Sequence, residues 1–452
     1  MKINGHYEFT GHGWPGSVGK NAEPEKTDRF FLHFSDNNLC AKLEKQARKK
    51  GVSIMNRVMV TELLKDNRGK VVGAIGISTR EPKLYIFNAK KVVINKGAVH
   101  PTRLYPVPHF IGYSMADIGS GDGVIAAYRA GADVQDAEMQ SGRQVSMRFG
   151  PWAGKGTWIA VLRDSEGKSI GPPFLSKPDA ELGDVVVENP DTLDRVWETG
   201  KGPVWMDARG ISKEDEQYMR MGLESESMAA FLRWADREKI SLRKTRWEFA
   251  TMQPGSGLCV RTDADCKTTL PGLYVIPRGL LSWSATVGMI VGEAAAKDAL
   301  KVRTVNKKVN HTRIAEIKKH YEAILNRKGT EYSDWHEAQW AIFQTMYVYA
   351  LPPHRTENTL MAGYNRLKRI RESARCILKA ANPHDLYHCL EVLNLMDTAE
   401  LVLLALMERK ESRGLSRRQD YPYPNPLLNN KTLVINQQNG HPSFRWEDKA
   451  SI

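Results

Sequence analysis

The chain has 452 residues, a formal net charge of +13, 41% hydrophobic residues and 26% charged residues. This length is enough for two or three domains with buried cores, and the composition is that of a globular protein. The longest apolar run, residues 401–407, is far too short to span a bilayer, and residues 1–19 lack the apolar stretch of a signal peptide. The positive charge favours anionic partners, although a well-solvated basic surface would give the same excess.

Five cysteines are scattered along the chain. Cys259 and Cys266 have no CxxC spacing, which indicates that the chain holds no zinc or iron–sulfur site. Reduced thiols in a cytoplasmic protein fit this pattern better than a disulfide framework. We therefore expect no metal ligands and a cytoplasmic location, with any membrane association made through a partner.

The first part of the chain predicts one helix followed by several strands. Residues 38–50 place Leu39, Leu43 and Ala47 on one helical face. The strands are predicted at residues 52–60, 71–77, 83–87 and 91–95, with a hairpin turn at residues 67–69. A helix and strands this close together indicate an α/β domain that contains an inserted β-meander.

The rest of the chain changes from a mixed pattern to a helical one. Residues 139–245 are rich in Gly and Pro, whereas residues 311–412 are nearly all helical, with a capping box at residues 334–337. Other predicted elements are helices at 214–243 and 284–300, a strand at 272–277, an amphipathic helix at 385–413, and a hairpin of 432–435 with 443–446.

A glycine turn at residues 119–123 runs directly into a helix of small residues. Gly121 and Gly123 let the backbone approach a partner closely, and the start of the helix leaves backbone N–H groups free. This arrangement suits an anionic or carbonyl-rich cofactor. Asp122 could cap the helix and hold a ribose or a backbone amide; capping is the simpler role and does not depend on a bound cofactor.

The turn resembles the Ser/Thr-Gly-Asp-Gly segment of the succinate dehydrogenase, fumarate reductase and adenylylsulfate reductase flavoprotein family. Six further segments resemble that family in the same order, and together the seven span most of residues 30–425. The seven segments are residues 43–55, 69–76, 91–98, 120–123, 202–207, 270–274, and 407–414 together with 418–422. No single motif decides the matter, but seven in the right order make a chance match improbable.

The resemblance implies an α/β plus α protein. It predicts a partial FAD-binding, glutathione-reductase-like domain, an inserted α+β cap domain and a C-terminal helical bundle. The predicted boundaries are 1–138 for the FAD-binding-like domain, 139–245 for the cap, 246–305 for the return segment, 306–415 for the helical bundle and 416–452 for an extended tail.

The resemblance also implies which residues would hold FAD. Lys96 and Gly97 follow the strand that faces the flavin, and a cation at position 96 would stabilise the reduced flavin and raise its potential. The turn would contribute Ser120, Gly121, Asp122 and Gly123. The start of the helix after the last strand would direct the N–H groups of Ser284 and Ala285 at the pyrimidine edge.

Three arginines are the implied substrate-binding residues. Arg278 falls where the family has either its ribose-binding Glu or its catalytic Arg, and it could clamp a carboxylate or relay a proton. Arg143 and Arg148 lie just beyond the Gly-Asp-Gly helix, where the active cleft begins. Each of the three could instead be an ordinary solvated arginine.

Several family features are absent. The expected strand and GxGxxG turn that hold the FAD pyrophosphate do not precede residue 43, and the substrate-clamping His is replaced by Phe249. Two hypotheses follow. In the first, the chain is the flavoprotein subunit of an FAD-dependent oxidoreductase that acts on a small anionic substrate, with an FAD site that is incomplete or shared with a partner chain. In the second, it is a truncated, non-catalytic paralogue that serves as a structural partner of a complete flavoprotein.

The basic segment 366–371, with Arg375, lacks interleaved aromatic residues, so we expect no nucleic-acid binding. By the resemblance, it is a docking face for an acidic electron-transfer subunit, either an iron–sulfur or a flavoprotein partner. A solvated helix face is the simpler alternative.

Overall fold

The computed structural model describes residues 39–95, 104, 119–146, 161–168, 196, 199–211, 213–224, 229–277, 281–305, 311–328, 335–351, 355–414 and 416–449. The chain divides into two compact units. One contains Met1–Ile54, Val107–Ala116 and Gly142–Met252, and the other contains Met55–Pro106, Asp117–Ser141 and Gln253–Ile452. The domain boundaries expected from the sequence stay a prediction.

The described residues of the first unit include a four-stranded sheet and three helices. Helix α1 is Leu39–Lys49, as predicted. The sheet has the order β6-β9-β8-β7, formed by Gln140–Ser146 (β6), Val161–Arg163 (β7), Val204–Asp207 (β8) and Arg246–Ser256 (β9). The single helix expected at 214–243 is two helices, Lys213–Leu223 (α3) and Ala229–Arg237 (α4), followed by a 3-10 turn at Leu242–Lys244. Val204, Met206, Phe231 and Trp247 belong to the core that joins sheet and helices.

The second unit begins with the predicted meander. Its strands are Val58–Lys65 (β1), Val71–Ser78 (β2) and Leu84–Asn88 (β3), paired antiparallel in that order. The β1–β2 turn forms because the Asp66 carboxylate accepts hydrogen bonds from the backbone N–H groups of Arg68 and Lys70. The expectation of a strand from residue 52 was wrong, because pairing with β2 begins only at Val58.

A parallel strand pair lies between two helices. Strands Val92–Asn95 (β4) and Leu273–Ile276 (β11) pair in parallel. Because side chains alternate along a strand, Val92, Ile94, Leu273 and Val275 pack into the core that includes helix α2, Asp122–Ala130. Tyr274 and Ile276 face the other way, towards helix α5, Leu281–Leu300. The strand pair is therefore covered by a helix on each face.

In the described part of residues 311–412, which were predicted to be helical, there are four helices. They are His311–Leu325 (α6), Trp335–Ala350 (α7), Glu357–Ile377 (α8) and Pro383–Glu408 (α9). Residue 334 of the predicted capping box lies outside the described residues. A capping box does start α8, where the side chains of Thr356 and Thr359 cap each other's backbone N–H groups.

The last helix differs from its prediction in two respects. It ends at Glu408 rather than at residue 413, and it is buried on nearly all sides instead of being amphipathic. Leu403 and Leu406 pack into the helical core, whereas Leu401 and Ala405 pack into the core of α2 and the parallel strands. A helix with a core on both sides has no solvent face.

The C-terminal hairpin is confirmed and completes another sheet. Strands Lys431–Gln438 (β12) and His441–Asp448 (β13) pair antiparallel, and β12 also pairs with Val134–Gln135 (β5). Cys259–Val260 (β10) pairs with the other edge of β5, which gives the order β10-β5-β12-β13. None of the helices among the described residues combines the length and the apolar character needed to cross a membrane.

Gly73 in β2 marks a close approach of two strands. A Cβ atom at Gly73 would lie 1.9 Å from the backbone oxygen of Phe87, whereas one at Gly292 in α5 would meet nothing within 4 Å. We expect Gly73→Ala to lower the free energy of unfolding by about 1–3 kcal/mol or more, because backbone must shift. Gly292→Ala should raise it by about 0.5–1 kcal/mol through helix propensity. Urea titrations of both variants measure this, and a Gly73→Ala protein as stable as wild type would contradict it.

Candidate functional site

The Gly-Asp-Gly turn forms the start of helix α2. Gly119 and Gly121 both have positive φ angles, of 103° and 86°, which non-glycine residues rarely adopt. Gly121 is the N-cap residue, and no side chain caps the helix. The expectation that Asp122 caps α2 was therefore wrong: Asp122 is the first helical residue, where a carboxylate is favourable beside the positive end of the helix dipole.

The Asp122 carboxylate is held from two directions. Its Oδ1 atom accepts hydrogen bonds from Ser120 Oγ at 2.5 Å and from Asn394 Nδ2 at 2.6 Å. Ser120 Oγ also lies 3.3 Å from Glu391 Oε1. Ser120, Asn394 and Glu391 are all buried. The turn and helix α9 are thus joined by a buried polar network.

Glu391 is held in turn by residues on its own helix. Tyr387 donates its hydroxyl to Glu391 Oε1 at 2.8 Å, and His388 Nδ1 lies 2.9 Å from Oε2. The His388 ring stacks on Trp335, with ring centroids 4.0 Å apart. Glu391 and Asn394 were not among the predicted site residues. The available signal was that these two polar residues lie three positions apart, on one side of the helix, with apolar residues on either side of each in the sequence.

The carboxyl ends of β4 and β11 lie side by side, because Asn95 is paired with Ile276. Lys96 and Gly97 follow the first strand directly, and Arg278 follows the second after Pro277. These three residues and Arg148 lie outside the described residues. Arg143 lies in β6, in the first unit, and its side chain is not described.

Ser284 and Ala285 lie near the start of α5, but not at the positions expected. The helix begins at Leu281, three residues earlier than predicted. The four N–H groups of a helix that lack an intrahelical acceptor are those of the N-cap residue and the first three helical residues, so those of α5 end at Trp283. Ser284 and Ala285 both fall in the hydrogen-bonded part. Helices α2 and α5 pack on opposite faces of the same strand pair.

A chain of buried charges lies beyond α2 and β5. Arg409 donates Nε and Nη2 to Glu138 Oε1, at 2.9 and 2.7 Å, and Nη1 to Glu411. Glu138 is fully buried, and its Oε2 has no hydrogen-bond partner among the described residues. Burial raises the pKa of Glu138 to about 7, with Arg409 opposing the shift. The pKa of Glu411 is lowered, because hydrogen bonds from Arg413, Asn425 and Arg409 outweigh its burial.

These features fit a cofactor that carries both anionic or carbonyl groups and sugar hydroxyls. An N-terminal helix turn without a side-chain cap offers donors, and the fixed Asp122 carboxylate offers an acceptor. The described residues contain no group of His, Cys, Asp or Glu arranged to hold a metal ion, and all five cysteines are free thiols.

The sequence matches the FAD binding domain family over residues 24–276, more than half of the chain. The chain belongs to this family. Residues 342–450 match the C-terminal part of the fumarate reductase flavoprotein, so the helical part also has a counterpart there. FAD is therefore the cofactor, as predicted, and the hypothesis of a non-catalytic paralogue is not favoured.

One relative belongs to the fumarate reductase (CoM/CoB) of Methanothermobacter marburgensis and is 23% identical over 425 residues, which are 88% of this chain and 72% of that protein. The fumarate reductase flavoprotein subunit of Haemophilus influenzae is 21% identical over 86% of this chain and 68% of its own. The adenylylsulfate reductase structure from Archaeoglobus fulgidus has a TM-score of 0.70 at 20% identity, over 87% of this chain and 72% of that one. The predicted fold class is confirmed.

The raised pKa of Glu138 predicts how the free energy of unfolding depends on pH. Its folded pKa of about 7 lies above the ordinary value of 4.5, so the folded state holds this proton more tightly than the unfolded chain. Its contribution to stability is complete below about pH 4.5 and is lost as the pH rises to about 7. Relative to Glu138→Gln, the free energy of unfolding of the wild type should fall by up to about 1.4 kcal/mol per pH unit inside this window.

Urea unfolding at several pH values measures the difference. Glu411→Gln is the matched control, because Glu411 also accepts a hydrogen bond from Arg409 but its pKa is lowered. The stabilising contribution of Glu411 is therefore lost as the pH falls, the opposite of the behaviour expected for Glu138. If the free energies of unfolding of Glu138→Gln and the wild type change in parallel between about pH 4.5 and 7, the raised pKa of Glu138 is contradicted.

Proposed function

We propose that the chain is the flavoprotein subunit of an FAD-dependent oxidoreductase that acts on a small anionic substrate. The observation that carries the proposal is the parallel pairing of β4 with β11, which brings Asn95 beside Ile276. Ligands of α/β sheets bind outside the carboxyl ends of parallel strands. Lys96 and Arg278 come at these two strand ends in the sequence, where two positive charges suit an anionic cofactor edge or substrate.

Two helix starts and one carboxylate are proposed to hold FAD. The N–H groups at the start of α2 and in the first turn of α5, up to Trp283, would donate to its phosphate or ring carbonyl groups. Asp122 would accept a hydrogen bond from a sugar hydroxyl. Lys96, Gly97, Ser284 and Ala285 stay predictions from the resemblance. Bound FAD would supply the hydride acceptor or donor.

The substrate class follows from the arginines. Arg278, Arg143 and Arg148 would bind a carboxylate, sulfate or phosphate group, since the planar guanidinium matches such anions bidentately. The names of the relatives include fumarate and adenylylsulfate as substrates, both of them anions. Phe249 stands where the family has a substrate-clamping His, so we favour an anion other than a simple dicarboxylate.

An electron-transfer partner is proposed to dock on α8. Part of its basic segment is already used within the chain, because Arg371 lies within 3.1 Å of carboxylate oxygens of Asp397 and Glu400. Lys368, Arg369 and Arg375 remain exposed. These three charges would attract an acidic iron–sulfur or flavoprotein subunit. We retain the cytoplasmic location, with membrane association through such a partner, as part of this proposal.

The first test is the visible absorbance spectrum of the purified protein, with its native partner where one copurifies, before and after denaturation and after addition of FAD. We expect a flavin spectrum and release of about one FAD per chain, as for a family with one cofactor site. A colourless protein that FAD cannot reconstitute would contradict the proposal.

Arg278 is the residue to vary next. Arg278→Met should lower kcat/KM by about 10- to 100-fold, the loss expected for a charge-assisted hydrogen bond, mainly through a higher KM. Oxidation of the dithionite-reduced protein by fumarate, and separately by adenylylsulfate, supplies the assay. Arg237→Met is the control, since Arg237 is exposed and pairs only with its neighbour Glu238 among the contacts described. Equal kinetics for the two variants would rule out substrate binding by Arg278.

A further inference from the structure

Helix α9 presents one regular face to the Gly-Asp-Gly turn and the core behind it. Glu391, Asn394, Thr398, Leu401 and Ala405 recur at spacings of three and four residues, so they lie on one side of the helix. Glu391 and Asn394 contact Ser120 and Asp122, and Leu401 and Ala405 pack into the core that contains α2. The polar half of this face therefore meets the turn, and the apolar half meets the body of α2.

We propose that Asn394 and Glu391 are positioning residues for FAD: they fix the Asp122 carboxylate and the Ser120 hydroxyl in the geometry that binds the cofactor. The inference rests on the proposed FAD-binding role of Asp122. Neither residue needs to touch FAD. Each acts through the turn, from a helix more than 250 residues away in the sequence.

The geometry at Asp122 supports this role for Asn394. Two donors from different elements converge on the same carboxylate oxygen, Oδ1, which fixes both the position and the rotation of the carboxylate. Gly121, with its positive φ, gives the turn no side-chain constraint of its own. The amide of Asn394 is 4% exposed, so no water replaces it when it is removed.

Glu391 acts on Ser120. The one proton of the Ser120 hydroxyl is shared between two acceptors, Asp122 Oδ1 at 2.5 Å and the more distant Glu391 Oε1 at 3.3 Å. The Glu391 carboxylate is itself fixed by Tyr387 and His388. A fully buried carboxylate held in this way needs all of its partners. Helix α9 therefore holds the Ser120 hydroxyl as well as the Asp122 carboxylate of the turn.

Asn394→Leu is the primary variant, because it keeps the volume and removes the donor. Thr398→Val is the matched control: Thr398 is equally buried on the next turn of the same face, and its hydroxyl donates to the backbone oxygen of Asn394. FAD dissociation constants are measured by flavin fluorescence quenching on the reconstituted protein, and thermal midpoints on the same apoproteins. We expect Asn394→Leu to weaken FAD about 10-fold or more and Thr398→Val to change it less than about 2-fold, at similar thermal midpoints.

A double-mutant cycle with Asp122→Ala, which removes the acceptor oxygen, separates positioning from general support. If Asn394 acts through Asp122, Asn394→Leu should weaken FAD binding markedly in the wild-type background and by less than about 2-fold in the Asp122→Ala background. A purely structural role would give the same factor in both. Glu391→Gln in the same cycle with Ser120→Ala tests the second pair.

Asn394→Asp supplies a conservative rescue. The carboxyl that this variant introduces lies too close to the Asp122 carboxylate for both to ionise. At low pH the proton that the two share restores the hydrogen bond to Asp122, and at high pH this proton is lost. We expect FAD affinity within about 3-fold of wild type near pH 5.5 and a loss of about 10-fold by pH 8, whereas Asn394→Leu stays weak throughout. The charged groups around position 394 are Asp122 at the turn, Glu391 and Asp397 on α9, Arg129 on α2 and Arg371 on α8.

The outcomes are distinct. If the wild type binds FAD and Asn394→Leu weakens this binding no more than Thr398→Val does, the inference is overturned and the proposed function stands. Equal losses in both backgrounds of the cycle also overturn it, as does unchanged binding by Asp122→Ala. A wild-type protein that holds no FAD in any preparation overturns the proposed function, and the inference with it.

Discussion

The burial of helix α9 on nearly every side is the constraint on which the second unit depends. One side of the helix packs into the core of the other helices and the other side into the core of α2 and the parallel strands. Any polar group on such a helix must find a partner inside the protein, because water is not available. Glu391, Asn394 and Thr398 all do so. Two of these residues, Glu391 and Asn394, contact the Gly-Asp-Gly turn through Ser120 and Asp122, which links the packing of the helical part to the chemistry of the α/β part.

The turn and the strand pair contribute different groups to the candidate site. The backbone at Gly121 leaves the start of α2 without a side-chain cap, and the Asp122 carboxylate beside it is fixed by hydrogen bonds. The parallel pairing of β4 with β11 brings two chain segments to one edge, although they are far apart in the sequence. Further along, Glu138 is joined to α9 by Arg409, so both ends of the α2 region are tied to the same C-terminal segment.

The elements predicted well are those whose pattern is local. The meander, the strand at 273–276 and the C-terminal hairpin each follow from alternation and turn residues within about ten positions. The burial of α9 on nearly all sides was not predicted, because the core of α2 and the parallel strands, which covers its second side, is formed by residues remote in the sequence. The apolar positions of a helix do not show whether one core or two cores cover it. The Gly-Asp-Gly turn was found from its glycines, whereas Asn394 and Glu391 were not, since their function depends on a turn that lies in another part of the chain.

The C-terminal hairpin has a consequence for how the protein is made. Strand β12 completes the sheet of β5, and Arg445 on β13 pairs with Asp133, 312 residues earlier in the chain. A ribosome adds about 5–20 residues per second, so tens of seconds separate the synthesis of these partners. During that interval one edge of β5 has no strand beside it, and an open strand edge can pair with other chains. Chaperone binding to nascent chains should therefore persist until the hairpin has left the ribosome.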